Sequence, residues 1–64
     1  MKVVQEFYIK GLRYRIYENH WGGYCTMISI DNIEQHLNIN EKYLPTVAGC
    51  HLAILKYLHA QGSH

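Results

Sequence analysis

Sixty-four residues, 48% of them hydrophobic and 17% charged, suffice for one lean domain and exclude a disordered chain. Six basic side chains against five acidic ones exclude a strongly basic protein, although residues 1–17 carry Lys2, Lys10, Arg13 and Arg15 against Glu6 alone. A chain this short buries only about 60% of the surface its unfolded form exposes, so it gains from a disulfide, a metal or a partner subunit.

Residues 3–9 and 12–18 are rich in β-branched and aromatic side chains and are joined by Lys10-Gly11, a pair suited to a two-residue hairpin turn. That turn predicts a register. Ile9 faces Leu12, Phe7 faces Tyr14 and Gln5 faces Ile16 on one largely apolar side. On the other side Tyr8 meets Arg13, Glu6 meets Arg15 and Val4 meets Tyr17, which pairs opposite charges and sets a cation beside an aromatic ring.

Asn19-His20-Trp21-Gly22-Gly23 reads as a loop, and residues 24–30 as a third strand. In that strand Tyr24, Thr26, Ile28 and Ile30 are expected over the core, alternating with Cys25, Met27 and Ser29. Asp31 followed by Glu34 resembles a capping box, and Ile33 and Leu37 share a helical face, so a short helix is expected here, broken at Asn38 and Asn40. Leu44-Pro45 marks another break, after which Thr46 is a suitable N-cap for a helix to about Ala60.

On that last helix Val47, His51, Ile54 and Leu58 form the centre of the apolar arc. Ala48, Leu52 and Leu55 widen it on one side, Cys50 and Tyr57 on the other. The arc exceeds the ~100° stripe that packing on one sheet requires. The surplus points to a homodimer, with Val47, His51, Ile54, Leu55 and Leu58 as its expected interface. The expected fold class is therefore α+β: a three-stranded antiparallel β-meander, a short helix and a longer amphipathic C-terminal helix. Residues 1–61 make one domain. Gly62-Ser63-His64 reads either as native or as the remnant of a linker or tag, and stays outside the functional reading.

The candidate chemistry is thin. Two cysteines without close neighbours and five dispersed histidines do not reproduce the paired spacing of a local zinc motif, so no metal or other cofactor is expected. His51 reads as a partly buried side chain with one satisfied nitrogen, and His20, His36 and His59 as solvent-facing. Cys50 on an apolar helix face reads as an inert thiol and not a nucleophile. Glu6, Glu18, Asp31, Glu34 and Glu41 suggest no acid–base pair, so no catalytic residues are expected. No charged segment followed by an apolar run opens the chain and no ~20-residue apolar span occurs, so the expected setting is cytoplasmic, with reduced thiols and without a membrane.

Two binding readings remain. Tyr8, Arg13, Arg15 and Tyr17 on one sheet face, with Lys10 at the hairpin tip, have the aromatic and basic character of a nucleic-acid platform. Near-neutral charge opposes this, since it offers little counterion release. His20 and Trp21 at a glycine-flanked loop tip have the residue types of a protein-binding anchor, unless Trp21 folds back over the sheet edge. The leading expectation is a small non-enzymatic regulator or inhibitor that binds a protein partner through these residues, a size shared by many phage-encoded inhibitors.

The succession strand, turn, strand, Gly22-Gly23-Tyr24, strand and a helix opening at Thr46 resembles the partial RNase-H-like fold of HicB-type antitoxins, which carry a Gly-Tyr step entering a strand and a helix opening with Thr. The resemblance covers about half of the chain and transfers no functional position. It implies a regulator that works by binding another protein. The segment from Asp31 to Pro45 departs from that pattern, which has a strand where a short helix is expected here.

Overall fold

The structure is a computed structural model and describes residues 1–37 and 42–62. Four strands, β1 (Lys2–Ile9), β2 (Leu12–Glu18), β3 (Tyr24–Ile30) and β4 (Ile33–His36), are followed by one helix, α1 (Val47–Gln61). The strands form a single antiparallel sheet in the order β1-β2-β3-β4. The fold is α+β as expected, but with a fourth strand in place of the short helix.

The first hairpin follows from its turn. Lys10 and Gly11 have φ of 52° and 81°, the double positive φ of a type I′ turn whose twist matches the flanking strands. The expected pairs Ile9–Leu12, Tyr8–Arg13, Phe7–Tyr14, Glu6–Arg15 and Gln5–Ile16 all form. The pair Val4–Tyr17 does not. A bulge between Val3 and Gln5 leaves Val4 as the extra residue, so Val3 faces Tyr17 and Lys2 faces Glu18.

The short helix at Asp31 is corrected to a second tight turn. Asp31 and Asn32 have φ of 53° and 68°, and Ile30 pairs with Ile33 directly across them. Asp and Asn are the non-glycine residues that best tolerate the left-handed region, because their short side chains bond locally. The same two residue types therefore fit a helix cap and a hairpin turn alike. The open edge of β3 decides the matter: its outward N–H and C=O groups need partners, and β4 supplies them from Met27–His36 to Ile30–Ile33. Leu37 N–H donates to Thr26 O at 2.9 Å, and Tyr24 and Leu44 exchange bonds of 2.8 and 2.7 Å, extending the cover along β3. The expected helix break at Asn38 and Asn40 lies outside the described residues.

α1 begins where expected. Thr46 is extended (φ −139°, ψ 156°) and its Oγ1 accepts the N–H of Gly49 at 3.0 Å. At the other end Gly62 is the helix C-cap, its N–H donating to Leu58 O and His59 O. The helix lays Cys50 and Ile54 on the sheet, and Ile54 (3% exposed) joins Tyr14 and Ile28 at the centre of the core. Phe7, Ile9, Leu12, Ile30, Leu37, Tyr57 and Leu58 pack around them. Gln5, the polar member of the apolar hairpin face, meets His51, the polar member of the helix arc, at 2.7 Å between Oε1 and Nε2. The His51 ring also lies parallel to Phe7, with centroids 5.8 Å apart.

Thr26 and Ile28 are buried as expected, while Cys25 is fully buried as well, although alternation assigned it to the other side. β3 is thus buried on both faces near its start, while Met27 and Ser29 farther along are half-buried.

Asn32→Gly is expected to leave stability unchanged or raise it by about 0.5 kcal/mol, whereas Asn32→Val is expected to cost about 1–2 kcal/mol through left-handed strain. Thermal melts of the two variants check this, and a helical segment there would give glycine the penalty instead.

Candidate functional site

The loop between β2 and β3 is built to hold one side chain outward. Asn19 Oδ1 accepts N–H groups from Trp21 and Gly23, each at 2.9 Å. The backbone closes the same loop, with Asn19 N–H donating to Gly23 O at 2.9 Å and Gly22 N–H to Asn19 O at 3.4 Å. Gly22 sits at φ 83°, where a β-carbon is disfavoured. On this frame Trp21 is 84% exposed, and its indole meets the His20 ring edge-on at a centroid distance of 6.4 Å. The alternative of a tryptophan folded back over the sheet edge is not what the structure has.

On the sheet face away from α1, Tyr8, Arg13, Arg15 and Tyr17 lie together, as the hairpin register requires. The added strand β4 changes their chemistry. Glu34 and His36 enter the same face opposite Ser29 and Met27. Tyr17 donates its hydroxyl to both carboxylate oxygens of Glu34, each at 2.9 Å, and accepts from Arg15 Nη1 at 3.4 Å. Arg15 also stands 3.7 Å from Glu6 and 3.9 Å from Glu34. The Tyr17 hydroxyl, and after it the two carboxylates, hold the guanidinium more firmly charged against the opposing effect of burial. Arg15 is therefore flanked by acids on both sides. Arg13 is half-buried, and its Nε has no acceptor among the described residues. Tyr8 remains 66% exposed. Between the two hairpin turns Tyr8, Arg13, Ser29 and Asp31 border an open polar concavity of about 380 Å³.

The seven residues expected at a partner surface thus divide. Tyr8, Lys10 and Arg13 lie toward the hairpin turns, Arg15 and Tyr17 are engaged mid-face, and His20 and Trp21 project from the opposite end of β2. The residues that sequence reasoning missed are Glu34 and His36. Reading Asp31-Asn32 as a two-residue turn would have placed both by alternation.

On α1, Ile54 is buried in the core and Leu58 and Val47 are half-buried beneath the helix. His51 is engaged with Gln5 and Phe7. Of the expected dimer residues, Leu55 (61% exposed) is the large apolar one left to solvent, and Leu52 (58%) lies beside it.

Cys25 and Cys50 are free and buried. Tyr24 donates to Glu18 at 3.3 Å, and that carboxylate is the first cause of its raised pKa. His36 stacks edge-on with Tyr43. Among the described residues no group of three or more His, Cys, Asp or Glu is placed to hold a metal, and no helix is long and apolar enough to cross a membrane.

No family model matches the chain, and no match was found among curated proteins or solved structures. Without a match, the resemblance to HicB-type antitoxins carries no functional argument.

Burial, then the neighbouring Cys50 and Glu34, push the Cys25 thiol up. The unfolded thiol ionises first, near pH ~8.5, so stability is retained below that pH and lost as pH rises toward the folded value. Urea melts from neutral to alkaline pH are expected to show that decline. Cys25→Ala is expected to flatten its onset.

Proposed function

We propose that this chain is a small non-enzymatic protein-binding regulator or inhibitor whose principal anchor is Trp21. The observation that carries the reading is a tryptophan exposed on a loop that its own hydrogen bonds hold in place. Exposing so large an apolar surface is unfavourable for the free domain, by about 25 cal/mol for each Å² left in water. An anchor fixed in advance loses little entropy on binding, and tryptophan is the side chain most enriched among interface hot spots.

The rival reading, a nucleic-acid platform on the open sheet face, loses support through Glu34. Two arginines and two carboxylates make that face close to neutral, and Arg15 would have to leave Glu6, Tyr17 and Glu34 to reach a phosphate. Counterion release scales with the phosphates a protein neutralises, and little charge is free for that here.

Fluorescence anisotropy with labelled duplex DNA and single-stranded RNA, at low and moderate salt, separates the two readings. Trp21→Ala compared with the native chain in affinity capture completes the test. The expected result is no salt-sensitive nucleic-acid binding, and a captured protein whose affinity falls tenfold or more in Trp21→Ala, with melting unchanged. Micromolar binding to either nucleic acid that weakens with salt and disappears in Arg13→Ala would replace the proposal with its rival.

Homodimerisation belongs to the proposal in a narrowed form, through Leu52 and Leu55 instead of the whole apolar arc. Sedimentation at rising concentration is expected to show a dimer that Leu55→Glu reduces to monomer. A native chain that stays monomeric at high concentration removes the dimer.

A further inference from the structure

The end of the sheet opposite Trp21, about 20 Å away along β2, carries a different kind of surface. Beneath the Lys10–Gly11 turn a cleft of about 180 Å³ opens between the first hairpin and the last turns of α1. Its walls are Ile9, Leu12, Tyr14, Tyr57 and Leu58. Four of these, all but Tyr14, pack directly against the buried cluster that Tyr14 itself belongs to. The core therefore shapes the cleft, which is preformed and needs no loop to close around a guest.

Size selects the guest. An apolar cavity of about 150 Å³ accepts a benzene ring, while pockets for drug-sized molecules begin near ~300 Å³. The cleft has room for one ring, and anything attached to that ring extends through its open side. Charge selects further. Among the described residues the lining has a single charged side chain, Lys10, and no side-chain carboxylate; the Gln61 amide adds a neutral polar group. The carbonyl end of α1 has the wrong polarity for an anion, but Gly62 N–H already takes up Leu58 O and His59 O, and Lys10 brings a full positive charge. Burial, and secondarily Tyr57, push the Tyr14 phenol up, which keeps the floor of the cleft neutral.

We propose that this cleft is a docking pocket for one aromatic side chain of a peptide partner that carries a carboxylate next to that side chain, the ring seated among Ile9, Leu12, Tyr57 and Leu58 and the carboxylate set against Lys10. The inference rests on the protein-binding reading and names the chemistry of a second contact. It uses none of the residues of the Trp21 loop.

The test is a titration of the ¹⁵N-labelled full chain, followed by NMR, with N-acetylphenylalanine and, separately, with its uncharged amide. Saturable shifts centred on Ile9, Leu12, Tyr57 and Leu58 are expected, half-maximal at about 1–10 mM, as suits a ligand of this size. The amide is expected to need at least threefold more ligand. Lys10→Gln should erase that difference while leaving the melting temperature unchanged. No shifts, shifts centred elsewhere, or equal binding of acid and amide by the native chain would each overturn the proposal. The same titration of Trp21→Ala is expected to be unchanged. A failed titration of the native chain leaves the Trp21 reading standing, and a failed partner capture leaves the cleft standing.

Discussion

Among the described residues one sheet and one helix bury a single layer, organised around Ile54 on the Tyr14–Ile28 pair. A domain this small has little reserve, so contacts at the rim matter more than in a larger core. Gln5 with His51 is one such contact, joining two exposed polar side chains where the helix meets the sheet. By aligning the helix on the sheet, the same layer places Leu52 and Leu55 outward and shapes the cleft beneath the Lys10–Gly11 turn.

Electrostatics give the two faces of the sheet different roles. The helix-facing side is apolar apart from a few polar residues, chiefly Gln5, Thr26 and Gln35. The open side carries a mixed network in which Tyr17 bonds Glu34 and Arg15 stands near Glu6 and Glu34, while Arg15 Nε has no hydrogen-bond acceptor among the described residues. Such part-exposed pairs contribute little stability, a median of about 0–1 kcal/mol. Their consequence is in recognition: a face whose charges are already matched attracts a polyanion weakly. Exposed apolar surface lies instead at the two ends of β2, at Trp21 and in the cleft under the Lys10–Gly11 turn.

The candidate site was partly legible in the sequence. Trp21 between His20 and Gly22-Gly23 marks a loop with a large aromatic, and the alternation of β1 and β2 places Tyr8, Arg13, Arg15 and Tyr17 on one face. What composition and spacing do not contain is the state of those side chains. Whether Trp21 is capped or exposed depends on the bonds Asn19 makes around it. Whether Arg15 is available depends on Glu34, nineteen positions along the chain, which reaches it only because β4 joins the sheet.

Sequence by itself determined the parts whose signals are local: the Lys10–Gly11 hairpin and its register as far as Gln5, the third strand, the Thr46 cap and the helix that follows. A positive-φ turn, strict alternation and a capping hydroxyl act within a few residues. Tertiary structure decided the rest. Asp31 through Glu34 satisfies the pattern of a helix start and that of a turn into a strand, and the unpaired edge of β3 selects the strand. The broad apolar arc of α1 is compatible with several partners, and the contact with Tyr14 and Ile28 selects which part of it is buried. In both cases the deciding term is the hydrogen bonding or burial offered by residues far along the chain, which no local window contains.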